Sequence, residues 1–134
     1  MNKSLATGEA IMSQALALII EDDPQLSDIF ALALSGQFQT EVIQDGQLGL
    51  QRLDEITPDV VVLDLHLPGV SGEKILHHLR NEARLAAVRV ILATADARQA
   101  EILESQADIV LLKPINPMQL NQLAVRLYEG GKRA

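Results

Sequence analysis

The chain contains no cysteine and no tryptophan, and only one tyrosine and two phenylalanines among its 134 residues. Without cysteine, disulfides and thiolate metal sites are excluded, and a reducing cytoplasm is the expected setting. With aromatics at 2%, any core must be built from Leu, Ile, Val and Ala. Positive charge is also scarce: 11 Lys and Arg stand against 18 Asp and Glu, for a net charge of −7. No basic stripe is present to neutralise phosphates, so direct nucleic-acid binding by this domain is not expected. No apolar run approaches the roughly 18–20 residues that span a bilayer. The segment Ala15–Ile20 is far too short, and no membrane association is expected. The first dozen residues lack the long apolar stretch of a secretion signal. Repeats and low-complexity stretches are also missing.

What is present is a hydrophobic fraction of 48%, enough for a core in one domain of ordinary size. Short apolar runs alternate with segments of helical period. Ala15–Ile20 reads as a strand. Pro24–Ser35 reads as a helix with apolar Leu26, Ile29, Phe30, Ala33 and Leu34; Asp23 caps it, Pro24 suits its first turn and Gly36 ends it. Thr40–Gln44 is a half-polar strand near an edge. A turn at Asp45-Gly46 leads into a second helix marked by Leu48, Leu53 and Ile56. Asp59–Leu65 is the most apolar strand and is expected at the centre. Ser71–Glu82 is a third helix with Ile75, Leu76 and Leu79 inward. Val88–Ala93 is a strand, Ala97–Ser105 a weaker helix and Ile109–Leu112 a fifth strand. The final helix, Asn116–Tyr128, carries Leu120, Leu123, Ala124 and Leu127 on one face. Its other face, with Gln119, Asn121, Gln122 and Arg126, reads as solvated surface. The domain is expected over residues 15–129, after an N-terminal tail over 1–14. Residues 130–134 read as a C-terminal tail or the start of a linker.

Five β-α units in succession imply a parallel sheet wound on both faces by helices, because each parallel crossover needs a helix. Strands covered on both faces read as continuous apolar runs, as these do. In such folds ligands bind beyond the carboxyl ends of the strands.

That rule explains VVVLDLHLP, residues 60–68, where Asp64 interrupts an apolar run. A buried, unpaired carboxylate costs several kcal/mol, roughly the desolvation penalty of a charged group, so Asp64 needs a reason to be there. Glu21, Asp22 and Asp23 follow the first strand. Asp64 ends the third, Thr94 the fourth, and Lys113 follows the fifth. All fall on one edge of the sheet. Carboxylates crowded there repel unless a cation intervenes, and an all-oxygen set suits Mg²⁺, with Mn²⁺ also accepted. Asp22 and Asp64 would be direct ligands, Glu21 would act partly through water, and the His66 carbonyl would add an oxygen. Mg²⁺ beside a carboxylate, a lysine and a hydroxyl is a phosphoryl-transfer arrangement. Asp64 is then the nucleophile. Lys113 neutralises phosphate charge, and the Thr94 hydroxyl and Leu65 N–H hold phosphate oxygens. Capping alone accounts for Asp23 but poorly for Glu21 and Asp22. His77 and His78 are adjacent on a helix and point about 100° apart, so they do not converge on one ion.

The segments LIIEDDPQL, VVLDLHLPGVSG, VILATADA and LLKPI, in this order and at these intervals, resemble the response regulator receiver domains over roughly Ala15 to Tyr128. The resemblance implies a flavodoxin-like sheet of strand order 2-1-3-4-5. It implies an acidic pair at Glu21 and Asp22, a phosphoacceptor at Asp64, a switch hydroxyl at Thr94 and the site lysine at Lys113. The Lys113-Pro114 bond is typically cis in this family. The implied function is a two-component switch. A phosphoryl group passes from a phosphohistidine of a sensor kinase or phosphotransfer protein, and a two-state equilibrium shifts as Thr94 moves toward the phosphate. A downstream protein or output domain reads the shift, whether the receiver stands alone or belongs to a longer chain. The only chemistry implied is self-phosphorylation and autodephosphorylation, not enzymatic turnover. One departure stands out: receivers usually carry Tyr, Phe or His three residues before the lysine, and here that position is Val110. The family's variable positions beside the site fall on His66 and Asp96.

Two other functions share these residues. A Mg²⁺-dependent phosphohydrolase of the haloacid dehalogenase type also uses an Asp nucleophile, a Thr or Ser, a Lys and acidic ligands. It usually has a second Asp two residues after the nucleophile, where this chain has His66, and no cap insertion is visible here. A phosphorylation-independent interaction module is the other, kept open by Val110.

Overall fold

The computed structural model describes residues 14–130. Five strands, β1 (Ala15–Ile20), β2 (Phe38–Ile43), β3 (Val60–Leu63), β4 (Arg89–Thr94) and β5 (Ile109–Leu112), form one sheet. All neighbours pair in parallel in the order β2-β1-β3-β4-β5. Between and after them run α1 (Pro24–Leu34), α2 (Gly46–Glu55), α3 (Gly72–Asn81), α4 (Ala97–Leu103) and α5 (Pro117–Glu129), with a 3-10 turn at Glu104–Gln106. The doubly wound sheet expected from the sequence is the one observed. Among the described residues no helix is long and apolar enough to cross a membrane.

Successive side chains of a strand face opposite ways, and each strand therefore feeds two cores. Leu18, Ile20, Val61, Leu63, Val90 and Leu92 pack with Leu53 of α2, Ile75, Leu76 and Leu79 of α3 and Leu103 of α4. Ala17, Ile19, Val60, Val62, Ile91 and Ala93 pack with Phe30 and Leu34 of α1 and Leu120 and Ala124 of α5. Each fully buried Leu or Ile contributes roughly 1.5–3 kcal/mol. Two of the three aromatics share one corner, where Phe38 and Tyr128 meet edge to face with centroids 6.0 Å apart.

Four local expectations change. β2 begins at Phe38 rather than Thr40, because Phe38 pairs opposite Ala15 and is buried. β3 ends at Leu63, which leaves Asp64 just past the strand. Leu48 is 54% exposed, because the inward face of α2 is made by Gly46, Gly49 and Leu53. Small residues there let the helix approach the sheet, and Leu48 falls on the outer side. Asn121 is not solvated surface: its Nδ2 donates to the Ala33 carbonyl at 2.8 Å and to Gln37 Oε1 at 2.6 Å, tying α5 to the end of α1.

Two glycines shape the loop after β3. Gly69 adopts φ +82°, a conformation that L side chains rarely take. Gly72 starts α3 against the chain at Asp64: a Cβ there would lie 2.1 Å from the Asp64 carbonyl oxygen and 2.6 Å from Leu65 Cα. Backbone atoms cannot swing aside as a side-chain tip can. Gly72→Ala is expected to destabilise the domain by about 1–3 kcal/mol, the usual penalty of overpacking. A urea midpoint equal to that of the wild type would show that the loop yields freely.

Candidate functional site

The carboxyl ends of β1, β3, β4 and β5 converge as the topology requires. Glu21 leaves β1 directly and is buried, Asp22 beside it is exposed, and Asp23 is the N-cap of α1. The Asp23 carboxylate accepts from Gln25 N at 2.9 Å and Leu26 N at 3.3 Å. Capping therefore explains Asp23 and leaves Glu21 and Asp22 for other work. Asp64 follows β3 and is only 4% exposed. Its N–H donates to the Ile20 carbonyl at 3.0 Å, which holds it at the level of the Glu21 turn. Carboxylate oxygens of Glu21, Asp22 and Asp64 lie within 4.8 Å of one another, and among the described residues theirs is the cluster suited to a metal ion. His77 and His78 are not part of it.

Lys113 enters from the end of β5. Its N–H donates to the Thr94 carbonyl at 2.8 Å, and the Lys113-Pro114 bond is cis. Its Nζ lies 2.9 Å from Glu21 Oε1 and 3.6 Å from Asp64 Oδ2. Asp64 Oδ1 accepts the His66 N–H at 3.2 Å. Thr94 is fully buried at the end of β4, and its Oγ accepts the Asp96 N–H at 3.0 Å. The exposed side chains of His66 and Asp96 meet across the mouth of the site, Nε2 to Oδ2 at 3.4 Å. Val110 pairs opposite Leu92 and is half-buried against the core that contains Leu103.

The electrostatics are unbalanced. Burial pushes the Asp64 carboxyl above its ordinary range; the His66 N–H and Lys113 pull it back, Asp22 adds to the rise, and the net direction is up. Burial likewise raises Glu21 despite its bonds from Lys113 and the Asp23 N–H, with Asp64 adding to the rise. Burial alone would lower Lys113, but Glu21 and Asp64 outweigh it and the net direction is up. One ammonium thus faces three clustered carboxylates and does not neutralise them. Hard oxygen donors with uncompensated negative charge are what a divalent cation such as Mg²⁺ requires, so this chain's residues fit that group.

Glu21, Asp22, Asp64, His66, Thr94 and Lys113 all stand at this edge, whereas Val110 lies within β5, against the core. What sequence reading missed is the second role of Asp96. It is the N-cap of α4, its Oδ1 accepting the Gln99 N–H at 3.0 Å. An Asp directly before a helical segment is the ordinary sign of a cap.

The profile of the response regulator receiver domain matches residues 17–125. The DNA-binding response regulator MtrA of Mycolicibacterium smegmatis is 36% identical over 107 residues, covering 77% of this chain and 46% of that protein. The chain therefore spans about half the length of these curated relatives. The receiver domain of a signal transduction histidine kinase from Syntrophus aciditrophicus superposes with a TM-score of 0.80 at 29% identity, covering 90% of this chain and 94% of that one. The receiver domain of a putative LuxO repressor from Vibrio parahaemolyticus gives 0.80 at 26% identity, covering 89% and 93%. A doubly wound sheet, an acidic cluster facing a lysine and a hydroxyl, and a family profile over most of the chain have one common reading: the chain belongs to the response regulator receiver domain family of two-component signalling.

Proposed function

We propose that this receiver, over residues 15–129, takes a phosphoryl group onto Asp64 with Mg²⁺, or Mn²⁺, held by Glu21, Asp22, Asp64 and the His66 carbonyl. The observation that carries the reading is the buried Asp64 carboxylate, 3.6 Å from Lys113 Nζ and clustered with two further carboxylates. The ion, when bound, supplies positive charge to the phosphate oxygens. The protein's own residues do the rest. β3 and the loop to α3 hold Asp64 rigid, so its attack geometry is preformed. An Asp64 oxygen forms the new P–O bond as the P–N bond of a phosphohistidine donor breaks, and the electron pair leaves on the imidazole nitrogen. Lys113 balances charge on the transferring group. The Thr94 hydroxyl and the Leu65 N–H receive its oxygens, and the movement of Thr94 is the switch.

The donor is a sensor histidine kinase or a phosphotransfer protein. The reader is a downstream protein or an output domain, and the aqueous cytoplasm is the setting. A self-phosphorylating switch of this kind performs no turnover of a free substrate. Val110 lacks a ring to rotate, so the readout runs along another path.

Intact-protein mass after incubation with an acyl phosphate and Mg²⁺ tests the reading. One added phosphoryl group is expected, and chelation before incubation should prevent it. An unchanged mass in folded protein would leave the phosphorylation-independent interaction module in its place.

A further inference from the structure

Asp96 makes contacts in several directions, and each leads to a different part of the molecule. Its N–H donates to Thr94 Oγ at 3.0 Å. Its Oδ1 accepts the Gln99 N–H at 3.0 Å and so caps α4. Its Oδ2 meets His66 Nε2 at 3.4 Å, and the His66 N–H in turn binds Asp64 Oδ1 at 3.2 Å. The cap bond is the largest of the influences that hold the Asp96 carboxyl below its ordinary range. The chain of contacts continues beyond the cap, where Gln99 Nε2 donates to Glu73 Oε1 of α3 at 3.0 Å.

The helix at the end of this chain is weakly held. α4 has seven residues, and only Ala100 and Leu103 are buried. Ile102 stands 70% exposed. A helix so short does not sustain itself in water and depends on its cap and its few buried contacts. Val110 is half-buried in the core that holds Leu103 and has no ring with which to move. The β4–α4 turn is therefore the shortest covalent route from the site to α4.

We propose that Asp96 is a positioning residue that passes the state of the Thr94 hydroxyl to α4. When Thr94 Oγ leaves the Asp96 N–H, the backbone at Asp96 loses the bond that sets its cap geometry. The first turn of α4 then loosens, and Ile102 and the Gln99–Glu73 contact are rearranged with it. This inference rests on the proposed switching of Thr94, but its test does not need phosphorylation.

The test is a double-mutant cycle of Thr94→Val and Asp96→Ala in the unphosphorylated protein, read by amide hydrogen exchange over residues 97–103. Asp96→Ala should speed exchange there about 5-fold, the typical effect of losing a side-chain cap. Thr94→Val should speed it several-fold. The double variant should match Asp96→Ala alone, because both act through one bonded residue. Asp96→Asn keeps an oxygen for the cap and should stay near the wild type, which separates loss of the cap from general unfolding. Multiplicative effects in the double variant would overturn the relay. A second arm adds an acyl phosphate and Mg²⁺. Asp96→Ala should gain the phosphoryl mass while its α4 exchange no longer responds, and a wild-type response there would also overturn the relay. If the wild type gains no mass, the phosphorylation reading fails, and the cycle still decides the relay.

Discussion

Asp64→Asn is expected to abolish phosphoryl uptake and at the same time to raise the melting temperature of the metal-free protein. The two effects have one cause. Asp64 is buried, and both burial and Asp22 push its carboxyl upward against the pull of the His66 N–H and Lys113. An amide carries no charge to desolvate and does not repel Glu21 or Asp22. Lys113 loses its 3.6 Å neighbour but keeps Glu21 at 2.9 Å. The expected rise is on the order of 3–5 °C, the effect of ~1 kcal/mol in a domain of this size. The neutral amide is a poor nucleophile, so no phosphoryl mass should appear.

The pH dependence follows with its sign. Asp64 and Glu21 have folded pKa values raised above the unfolded ones, so the native state binds more protons than the unfolded chain. The stability they contribute is complete below the ordinary carboxylate pKa and is lost as pH rises through the raised values. Metal-free wild type should therefore lose stability as pH climbs above that range, and Asp64→Asn should flatten the decline. Mg²⁺ at ten times its dissociation constant should restore about 1.4 kcal/mol to the wild type and much less to the variant. Thermal melts at several pH values with and without Mg²⁺ decide the matter. A lower metal-free melting temperature in Asp64→Asn would show that Lys113 already satisfies the cluster.

The largest loss of stability is expected at the other end of the sheet. Asp108 precedes β5, and its side chain is 2% exposed. It receives Arg80 Nη2 at 3.0 Å, Arg89 Nη1 at 3.2 Å and the Val90 N–H at 2.8 Å. Arg80 also donates to the Gln106 carbonyl at 2.6 Å and the Val88 carbonyl at 2.8 Å, which binds the end of α3 to the chain entering β4 and β5. Burial, and then the nearby Arg89, hold the Arg80 guanidinium below its usual value, a strain that the Asp108 carboxylate offsets. Asp108→Ala would take the carboxylate from Arg89, whose side chain is 8% exposed, and leave Arg80 with carbonyl acceptors but no counter-charge there. Removing one partner from a buried ionic network typically costs about 3–5 kcal/mol. That is a large share of the ~5–15 kcal/mol that holds a domain folded. Urea titration should show the midpoint collapse, with Asp108→Asn intermediate because its amide oxygen still accepts from Val90. A loss below ~1 kcal/mol in Asp108→Ala would mean that the arginines turn out to solvent and the network is not needed.

Asp64 was legible because it breaks a run of valines and leucines, and Thr94 and Lys113 because they stand where neighbouring apolar runs stop. The strands themselves were legible because each is covered on both faces and so reads as unbroken apolar sequence. Asp108 gave no such signal. It sits between a polar stretch and IVLL like any acidic residue at a strand start, and its arginines lie 28 and 19 positions away. Leu48 misled because helical period marks an apolar stripe without saying whether small residues such as Gly46 and Gly49 form the closer contact. The cap at Asp96 is signalled by its place directly before a helical segment, but that the same carboxylate also reaches His66 is not.

By itself the sequence determined the class of fold and the edge of the sheet where the acidic residues, Thr94 and Lys113 gather. Both follow from periodicity and from which residue types end each apolar run, and those are local properties of the chain. Only the tertiary structure decided how charge is balanced at each end of the sheet. Whether Lys113 reaches Glu21, whether Arg80 and Arg89 share Asp108, and whether Asp96 links Thr94 to α4 all depend on distances of about 3 Å. Electrostatic and hydrogen-bond energies change steeply over that range, and it is set by how separate elements pack rather than by the order of residues within any one of them.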